Sequence, residues 1–331
     1  MGAMPRPVVA ILGCGWIARR HAAAARRLSA HLDIGFASRS GERARAYARE
    51  FGGLAAFDNY ERALADPRVT AAIVCTPHDH HLPDTLLALS HGRHVLVEKP
   101  IARTLEEADR MIDAARAAGR VLMVAENFHY MPAVRRVRGF IDEDRLGELR
   151  ELQLVARGLR AHTDWRTEAA AMGGGCLIDG GIHYVHTLRH WGGEVRRVFA
   201  LSPRKTLPLM SGEDAVSVLA EMDHGVIGFL ANSSRTRGAP ALQWSSVCGT
   251  HGSCFADNRG RLVVVRGTGG LGVRMFRRDR RGHEAMLKAF LDAMTTGKPP
   301  ETDGAEGRRD LAVVLAVYRS LRERCPVDVE C

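Results

Sequence analysis

The sequence predicts an α/β protein in two domains: a doubly wound parallel sheet over residues 1–126, then an α+β domain with a mostly antiparallel sheet over residues 127–331. Three observations carry this. Strand-like and helix-like segments alternate through the first 125 residues, as a parallel sheet covered on both faces requires. Beyond Glu126 the pattern changes to short strands separated by Gly, Asp and Asn turns. The length of 331 residues suits two domains and buries enough surface to need no disulfide or metal staple.

The elements follow in order. Val8–Leu12 is a continuous apolar run, the mark of a strand buried on both faces, and the Ala- and Arg-rich stretch Ala18–Leu28 is helical. Leu32–Ala37 is a second strand and Gly41–Phe51 a second helix; Tyr60–Ala65 is a short helix before the Asp66-Pro67 turn. Ala71–Cys75 and His94–Val97 read as further strands, with a helix over Asp84–Ser90 between them. Thr104 and Glu107 form a capping box for a helix that ends at Gly119, and Val121–Val124 closes the series as a strand. In the second half a helix follows Pro132. Strands are expected at Glu148–Val155, Val195–Leu201, Ala215–Met222, Val226–Ala231, Trp244–Cys248 and Leu262–Arg266, with a hairpin loop at Asp223-His224-Gly225. His183–His190, His283–Met294 and Arg308–Leu321 complete the helices.

Composition narrows the function. A 46% hydrophobic and 26% charged chain is globular, and no apolar run approaches the roughly 20 residues of a membrane helix. The net charge of +9 invites a nucleic-acid reading, yet all but four of the 47 basic residues are arginines scattered among 38 acids. The one cluster, Arg274, Arg277, Arg278, Arg280 and Arg281, reads as a solvated strand edge and helix start. No zinc-finger, RRM or helix-turn-helix signature accompanies it, so nucleic acid and membrane are set aside as partners. Seven dispersed cysteines without a Cys-x-x-Cys pair point to a reducing compartment, and a cytoplasmic location is expected.

Three motifs carry chemistry. Gly13-Cys14-Gly15-Trp16-Ile17-Ala18 follows the first strand and opens the first helix. Gly13 permits the tight turn, Gly15 lets backbone approach a pyrophosphate, and Ala18 allows close helix–sheet packing. In NAD-binding versions an acid ends the second strand and bonds the ribose 2′-hydroxyl. Here the strand ends in Ser38-Arg39-Ser40, with Arg43 nearby, groups that suit a 2′-phosphate. NADP is therefore the expected coenzyme, with NAD possible. Glu98-Lys99-Pro100 closes the fifth strand at the sheet's carboxyl edge, where a lysine ammonium suits polarising a hydroxyl or carbonyl oxygen. In the glycine-rich run Gly173–His183, Asp179 and His183 stand four apart and share a face if helical; a histidine beside a carboxylate is a proton carrier near neutral pH.

Together these residues resemble the Gfo/Idh/MocA family of NAD(P)-dependent oxidoreductases, over nearly the whole chain. The resemblance also draws on Thr76-Pro77 with His81, Trp165-Arg166 and Gly249-Thr250-His251-Gly252. It implies a Rossmann domain and a large open sheet whose face often makes a homodimer or homotetramer contact. It implies that Lys99 binds the reacting oxygen, His183 exchanges its proton and Asp179 assists, while Thr76, Pro77, Glu98 and Lys99 border the nicotinamide. The expected activity is hydride transfer between NADP(H) and a secondary alcohol or ketone of a sugar, sugar derivative or cyclitol. Glu126, His129, Tyr130, Trp165, Arg166 and His186 are candidate substrate contacts. The sequence departs from the family pattern at Ser38, in place of the strand-end acid, at His78 for a common asparagine, at His186 for a frequent aspartate, and at His129 for a frequent arginine. Two other activities use the same scaffold: a glycosidase that oxidises its sugar transiently, and a non-catalytic dinucleotide-sensing regulator. A zinc site from His183, His186 and His190, or from His78, His80 and His81, is the lesser reading of those histidines; no metal is expected.

The coenzyme expectation has a direct test. Ser38→Asp places a carboxylate where the 2′-phosphate would sit, so the ratio of catalytic efficiencies should shift towards NAD. An unchanged ratio would refute the assignment.

Overall fold

The computed structural model describes residues 6–160, 163–236 and 243–330; Cys331, one of the cysteines counted above, lies outside them. The chain divides into two compact units, Met1–Ala125 with His283–Arg308, and Glu126–Gly282 with Arg309–Cys331.

The first unit is built on β1 (Val8–Leu12), α1 (Trp16–Arg27), β2 (Asp33–Ala37), α2 (Gly41–Phe51), β3 (Ala55–Phe57), α3 (Tyr60–Ala65), β4 (Val69–Val74), α4 (His78–Ser90), β5 (His94–Val97), α5 (Leu105–Ala118) and β6 (Leu122–Val124). Six parallel strands run in the order β3-β2-β1-β4-β5-β6. The order reverses between β1 and β4, the switch point at which doubly wound sheets bind ligands beyond their carboxyl ends. Every residue of β1 is buried, as its unbroken apolar run requires. Thr104 caps α5 by accepting from the Glu107 N–H at 3.1 Å, and Gly119 ends it in the left-handed region. The helix His283–Thr296 returns to this unit and packs on α1, with an Arg27–Glu284 ion pair at 3.2 Å.

Two differences from the sequence reading stand out here. The fourth helix starts at His78 and runs through Pro83, so His78, His80 and His81 lie in its first turn and not before it. The three-residue strand β3 has too few positions to show a period, yet it pairs with β2 over Gly35–Ala37.

The second unit opens with α6 (Pro132–Asp142) and β7 (Leu149–Arg157). There follow α7 (Ala169–Met172), a π-helical turn at Leu177–Gly181, α8 (Ile182–Gly192), β8 (Val195–Leu201), β9 (Ala215–Met222), β10 (Ile227–Ser233), β11 (Gln243–Gly249), β12 (Ser253–Asp257), β13 (Leu262–Gly267), β14 (Gly270–Met275) and β15 (Val327–Asp328). Nine strands lie in the order β14-β13-β12-β11-β7-β10-β9-β8-β15, all antiparallel except the β7–β10 pair. The strands β12, β14 and β15 escape the sequence reading: the first and last are short, and β14 is an exposed edge strand with two glycines.

One face of this sheet is buried beneath α6 and α8. Along β9 Val216, Val218, Ala220 and Met222 point inward, while Ser217, Leu219 and Glu221 are exposed. Register carries the outward row across the sheet, from Phe199 through Leu219, Phe229, Gln153, Ser246, Phe255 and Val264 to Val273. Leu219 and Val273 are 51% exposed and Phe255 40%, so the outer face keeps an apolar stripe. Among the described residues no helix is long and apolar enough to cross a membrane.

Candidate active site

In the first unit the glycine loop has the shape of a phosphate cradle. Gly13 adopts φ +93°, and a Cβ there would press to 2.9 Å from the Cys75 carbonyl oxygen. Gly15 begins α1 with no side-chain cap and no acidic residue in the first turn, and the space where its Cβ would lie is open. Unpaired N–H groups at the positive end of the helix therefore face open space, an arrangement that fits a pyrophosphate. The Tyr47 hydroxyl donates to the Gly15 carbonyl at 3.1 Å and steadies the loop. Trp16 is 66% exposed with the Arg20 guanidinium over its ring, whereas Ala18 is fully buried and allows the close helix approach. Ile17 is half-buried.

At the end of β2, Ser38 is buried and its Oγ accepts from the Ser40 N–H at 3.2 Å. Ser40 in turn caps α2 by accepting from the Arg43 N–H at 3.3 Å, and Arg39 and Arg43 stand exposed beside it. Asp33 opens β2 and sits at the opposite end of the strand.

Beyond β5, Glu98 is 6% exposed and lies 2.7 Å from His21 Nε2; its other oxygen accepts from the Lys99 N–H at 3.3 Å. Burial raises the Glu98 carboxyl, but the His21, Lys99 and His283 charges outweigh it and bring the pKa down to about 2. Lys99 is half-buried and joins Pro100 through a cis peptide. His81 is fully buried, its ring nitrogens 2.8 Å from the Pro100 carbonyl oxygen and 3.1 Å from that of Thr76. The imidazole thus lies between the Thr76-Pro77 segment after β4 and the Lys99-Pro100 segment after β5, and when neutral it donates to one of the two carbonyls. Burial pushes its pKa down.

In the second unit His183 lies against a buried carboxylate. His183 Nδ1 is 2.7 and 2.9 Å from the two oxygens of Glu126, which is 2% exposed and also accepts from the Phe128 N–H at 3.0 Å. The Phe128 ring stacks on the His183 imidazole at 4.4 Å and 7°. The carboxylate that orients His183 is therefore Glu126, 57 residues upstream, where the sequence reading placed Asp179. Asp179 sits in the π-helical turn, 3.5 Å from Arg166 Nε. Arg166 also pairs with Asp164 at 2.7 Å and stacks over Trp165. Burial raises the Glu126 carboxyl, and the His183 and His186 imidazoles reverse it, so the net shift is downward.

His129 and Tyr130 occupy a short turn after Glu126, and both are buried. His129 Nδ1 lies 2.9 Å from His186 Nε2, and His186 Nδ1 lies 2.8 Å from Asp310 Oδ2. Among the described residues no group of three or more His, Cys, Asp or Glu is arranged to hold a metal ion.

Three residues of this framework carry no local signal in the sequence: Glu213, Asp310 and Tyr318. The Tyr318 hydroxyl accepts from Gly175 N–H at 3.0 Å and Ile178 N–H at 3.2 Å, and donates to Glu213 Oε1 at 3.2 Å. Glu213 Oε1 also accepts from Leu177 N–H at 2.8 Å. A Cβ on Gly174 would overlap the Tyr318 hydroxyl, and one on Gly175 would overlap Glu213. The glycines therefore admit a polar clamp that holds the π-helical turn.

Comparison with known proteins agrees with this geometry. Residues 8–126 match the family described as "Oxidoreductase family, NAD-binding Rossmann fold", and residues 134–255 match "GFO/IDH/MocA C-terminal domain". The chain belongs to the Gfo/Idh/MocA family of oxidoreductases. It is 30% identical to the 1,5-anhydro-D-fructose reductase of Ensifer adhaerens, over 97% of this chain and 98% of that protein. The myo-inositol 2-dehydrogenase of Thermotoga maritima is 24% identical, over 97% of this chain and 98% of that one. A solved levoglucosan dehydrogenase in complex with NADH and levoglucosan shares the fold with a TM-score of 0.90 at 22% identity, over 99% of this chain and 100% of the other.

Burial drives the Glu213 pKa up to about 7 from its ordinary 4.5. The folded state then binds a proton that the unfolded state has released, so this contribution is complete below about pH 4.5 and fades as pH rises through 7. Glu213→Gln should flatten the fall of Tm between pH 5 and 8.5, by an amount equivalent to roughly 2 kcal/mol. Equal slopes in thermal unfolding of the two proteins would show that Glu213 is ionised throughout.

Proposed function

We propose that this oxidoreductase interconverts a secondary alcohol and a ketone on a sugar, sugar derivative or cyclitol, with NADP(H) as preferred coenzyme. The observation that carries the reading is the buried Glu126–His183 pair, because it gives an imidazole one nitrogen held by a carboxylate and the other able to exchange a proton. The relatives named as anhydrofructose reductase and inositol dehydrogenase match over nearly their whole lengths and support this substrate class.

The residues divide the work by chemistry. The unit formed by residues 1–125 and 283–308 is read as the dinucleotide-binding domain, its pyrophosphate held at Gly13, Gly15, Trp16, Ile17 and Ala18. Ser38, Arg39 and Arg43 supply donors and positive charge for a 2′-phosphate, and no carboxylate ends the strand to repel it. Thr76, Pro77, His81, Glu98 and Lys99 border the nicotinamide, which when bound supplies or accepts hydride at the substrate carbon. Lys99 stabilises negative charge on the reacting oxygen, in the manner of a fixed electrostatic donor. His183 Nε2 takes the hydroxyl proton in oxidation and returns it in reduction, and Glu126 at Nδ1 stabilises the imidazolium between. Asp179, paired with Arg166, assists at the substrate together with Trp165, while the further candidates His129, Tyr130 and His186 are buried and act on it only through their neighbours.

The exposed apolar row from Phe199 to Val273 supports a homodimer or homotetramer formed through the second unit's open sheet face. Leu219→Arg combined with Phe255→Arg should reduce the sedimentation coefficient to that of a smaller species while leaving the circular dichroism unchanged. An oligomer that persists would place the contact elsewhere.

The activity is tested by mixing the protein with NADPH and 1,5-anhydro-D-fructose, or with NADP and myo-inositol or levoglucosan, and following the reduced nicotinamide absorbance. Turnover of free coenzyme supports a dehydrogenase; a tightly held coenzyme that never exchanges points to the transient-oxidation glycosidase. Lys99→Met should retain coenzyme affinity but lose roughly 10²-fold or more of turnover. Retained turnover would remove Lys99 from the reaction.

A further inference from the structure

Behind Glu126 lies a second set of buried charges that the reaction scheme does not use. His186, on α8, is 3% exposed, and both ring nitrogens are engaged, Nδ1 by Asp310 and Nε2 by His129 Nδ1. Asp310 is 3% exposed; its second oxygen receives Arg189 Nη1, and Arg189 is also held by Glu194 through two 2.8 Å contacts. With Arg189 on one oxygen, Asp310 is an ionised acceptor, so His186 Nδ1 carries a hydrogen.

The 2.9 Å contact between His186 Nε2 and His129 Nδ1 needs one hydrogen and can be made in two ways. Either a neutral His186 accepts from His129, or a His186 imidazolium donates to it. The surroundings of Glu126 decide. The anions facing this cluster are Glu126, Asp310 and Glu194; its cations are Arg189, shared between two of those carboxylates, Arg309, 3.9 Å from Glu194, and Arg135 and Arg138. Arg135 and Arg138 donate to the His129 and His190 carbonyls, Arg138 being paired with Asp142 as well, while the contacts of Glu126 are His183 and the Phe128 N–H. A neutral His186 leaves Glu126 without a cation of its own whenever His183 is neutral, and an unpaired buried carboxylate is strongly disfavoured. The remaining neighbour, His190, stacks on His186 at 6.0 Å and 12° and lies 4.5 Å from His129. Burial, with His129, His186, Arg138 and Arg135 nearby, pushes the His190 pKa down to about 2, so it stays neutral. For His186 burial acts downward, but Asp310 and Glu126 prevail and the net shift is upward.

We propose that His186 is a resident imidazolium and a positioning residue: its charge holds Glu126 ionised against His183, and its Nε2–H obliges His129 to carry its own hydrogen on Nε2. The first consequence keeps His183 Nδ1 the donor of its pair, leaving Nε2 to accept the substrate proton. This deepens the dehydrogenase reading and rests on it for the meaning of His183, but the charge state of His186 can be measured without substrate.

Coenzyme-free protein labelled with ¹⁵N-histidine, with signals assigned through His186→Gln and His129→Gln, should show both His186 nitrogens protonated from pH 6 to 8 and His129 as the Nε2–H tautomer alone. An unprotonated nitrogen on His186 in that range overturns the proposal, and the wild-type spectrum suffices if the variants do not fold. In His186→Gln the Glu126 carboxyl, followed by ¹³C, should take up its proton roughly one pH unit higher than in the wild type. The acid limb of the turnover profile should move the same way with coenzyme affinity unchanged; a purely structural role would lower turnover and leave both midpoints in place. Failure of the activity assay alone would leave the nuclear magnetic resonance result standing, so the two readings fail separately.

Discussion

Three of the buried carboxylates, Glu98, Glu126 and Asp310, are made tolerable by imidazoles. A buried carboxylate must be protonated, or it must hold a countercharge and hydrogen bonds good enough to offset desolvation. Glu98 meets this demand with His21 in the first unit, and Glu126 and Asp310 meet it with His183 and His186 in the second. Glu213 and Asp214 have no imidazole and follow the same rule in other ways: the Glu213 carboxyl is driven up to about 7, and Asp214 accepts from the Thr206 and Leu207 N–H groups. Choosing histidine as the partner ties ionisation to a group that changes charge near neutral pH.

The two units solve different problems with the same economy of side chains. In the first, backbone does most of the recognition: an uncapped helix start and two glycines leave N–H groups and open space where a pyrophosphate fits. His81 packs between two sheet-edge segments, a ring nitrogen within reach of a carbonyl of each. In the second, side chains dominate. The π-helical turn that carries Asp179 is held by Tyr318 and Glu213, and the glycines before it are small because those two groups occupy the space. A π-turn costs regular helix bonding, and this polar clamp offsets part of that cost.

Much of this was legible in the sequence because its signals were local. Five buried strands and their helices announce themselves through apolar runs and caps such as Thr104 and Gly119, which depend only on neighbours within a few residues. The glycine loop, Ser38, Lys99 and His183 stand out as candidates because each belongs to a short motif with a physical reason for its spacing. The strands β3, β12, β14 and β15 were lost because they are short, or are edges whose pairing rather than their composition makes them strands.

The order of residues along the chain thus settled the doubly wound sheet and the class of cofactor cradle, since helix starts and buried strands are properties of short segments. Only the folded chain decided which acid serves each histidine. Glu126 reaches His183 across 57 residues, Asp310 reaches His186 across 124, and Tyr318 reaches Gly175 across 143. Such pairings are chosen by burial, which makes a lone charge intolerable wherever the packing happens to bring two opposite groups together, and burial is a property of the whole fold.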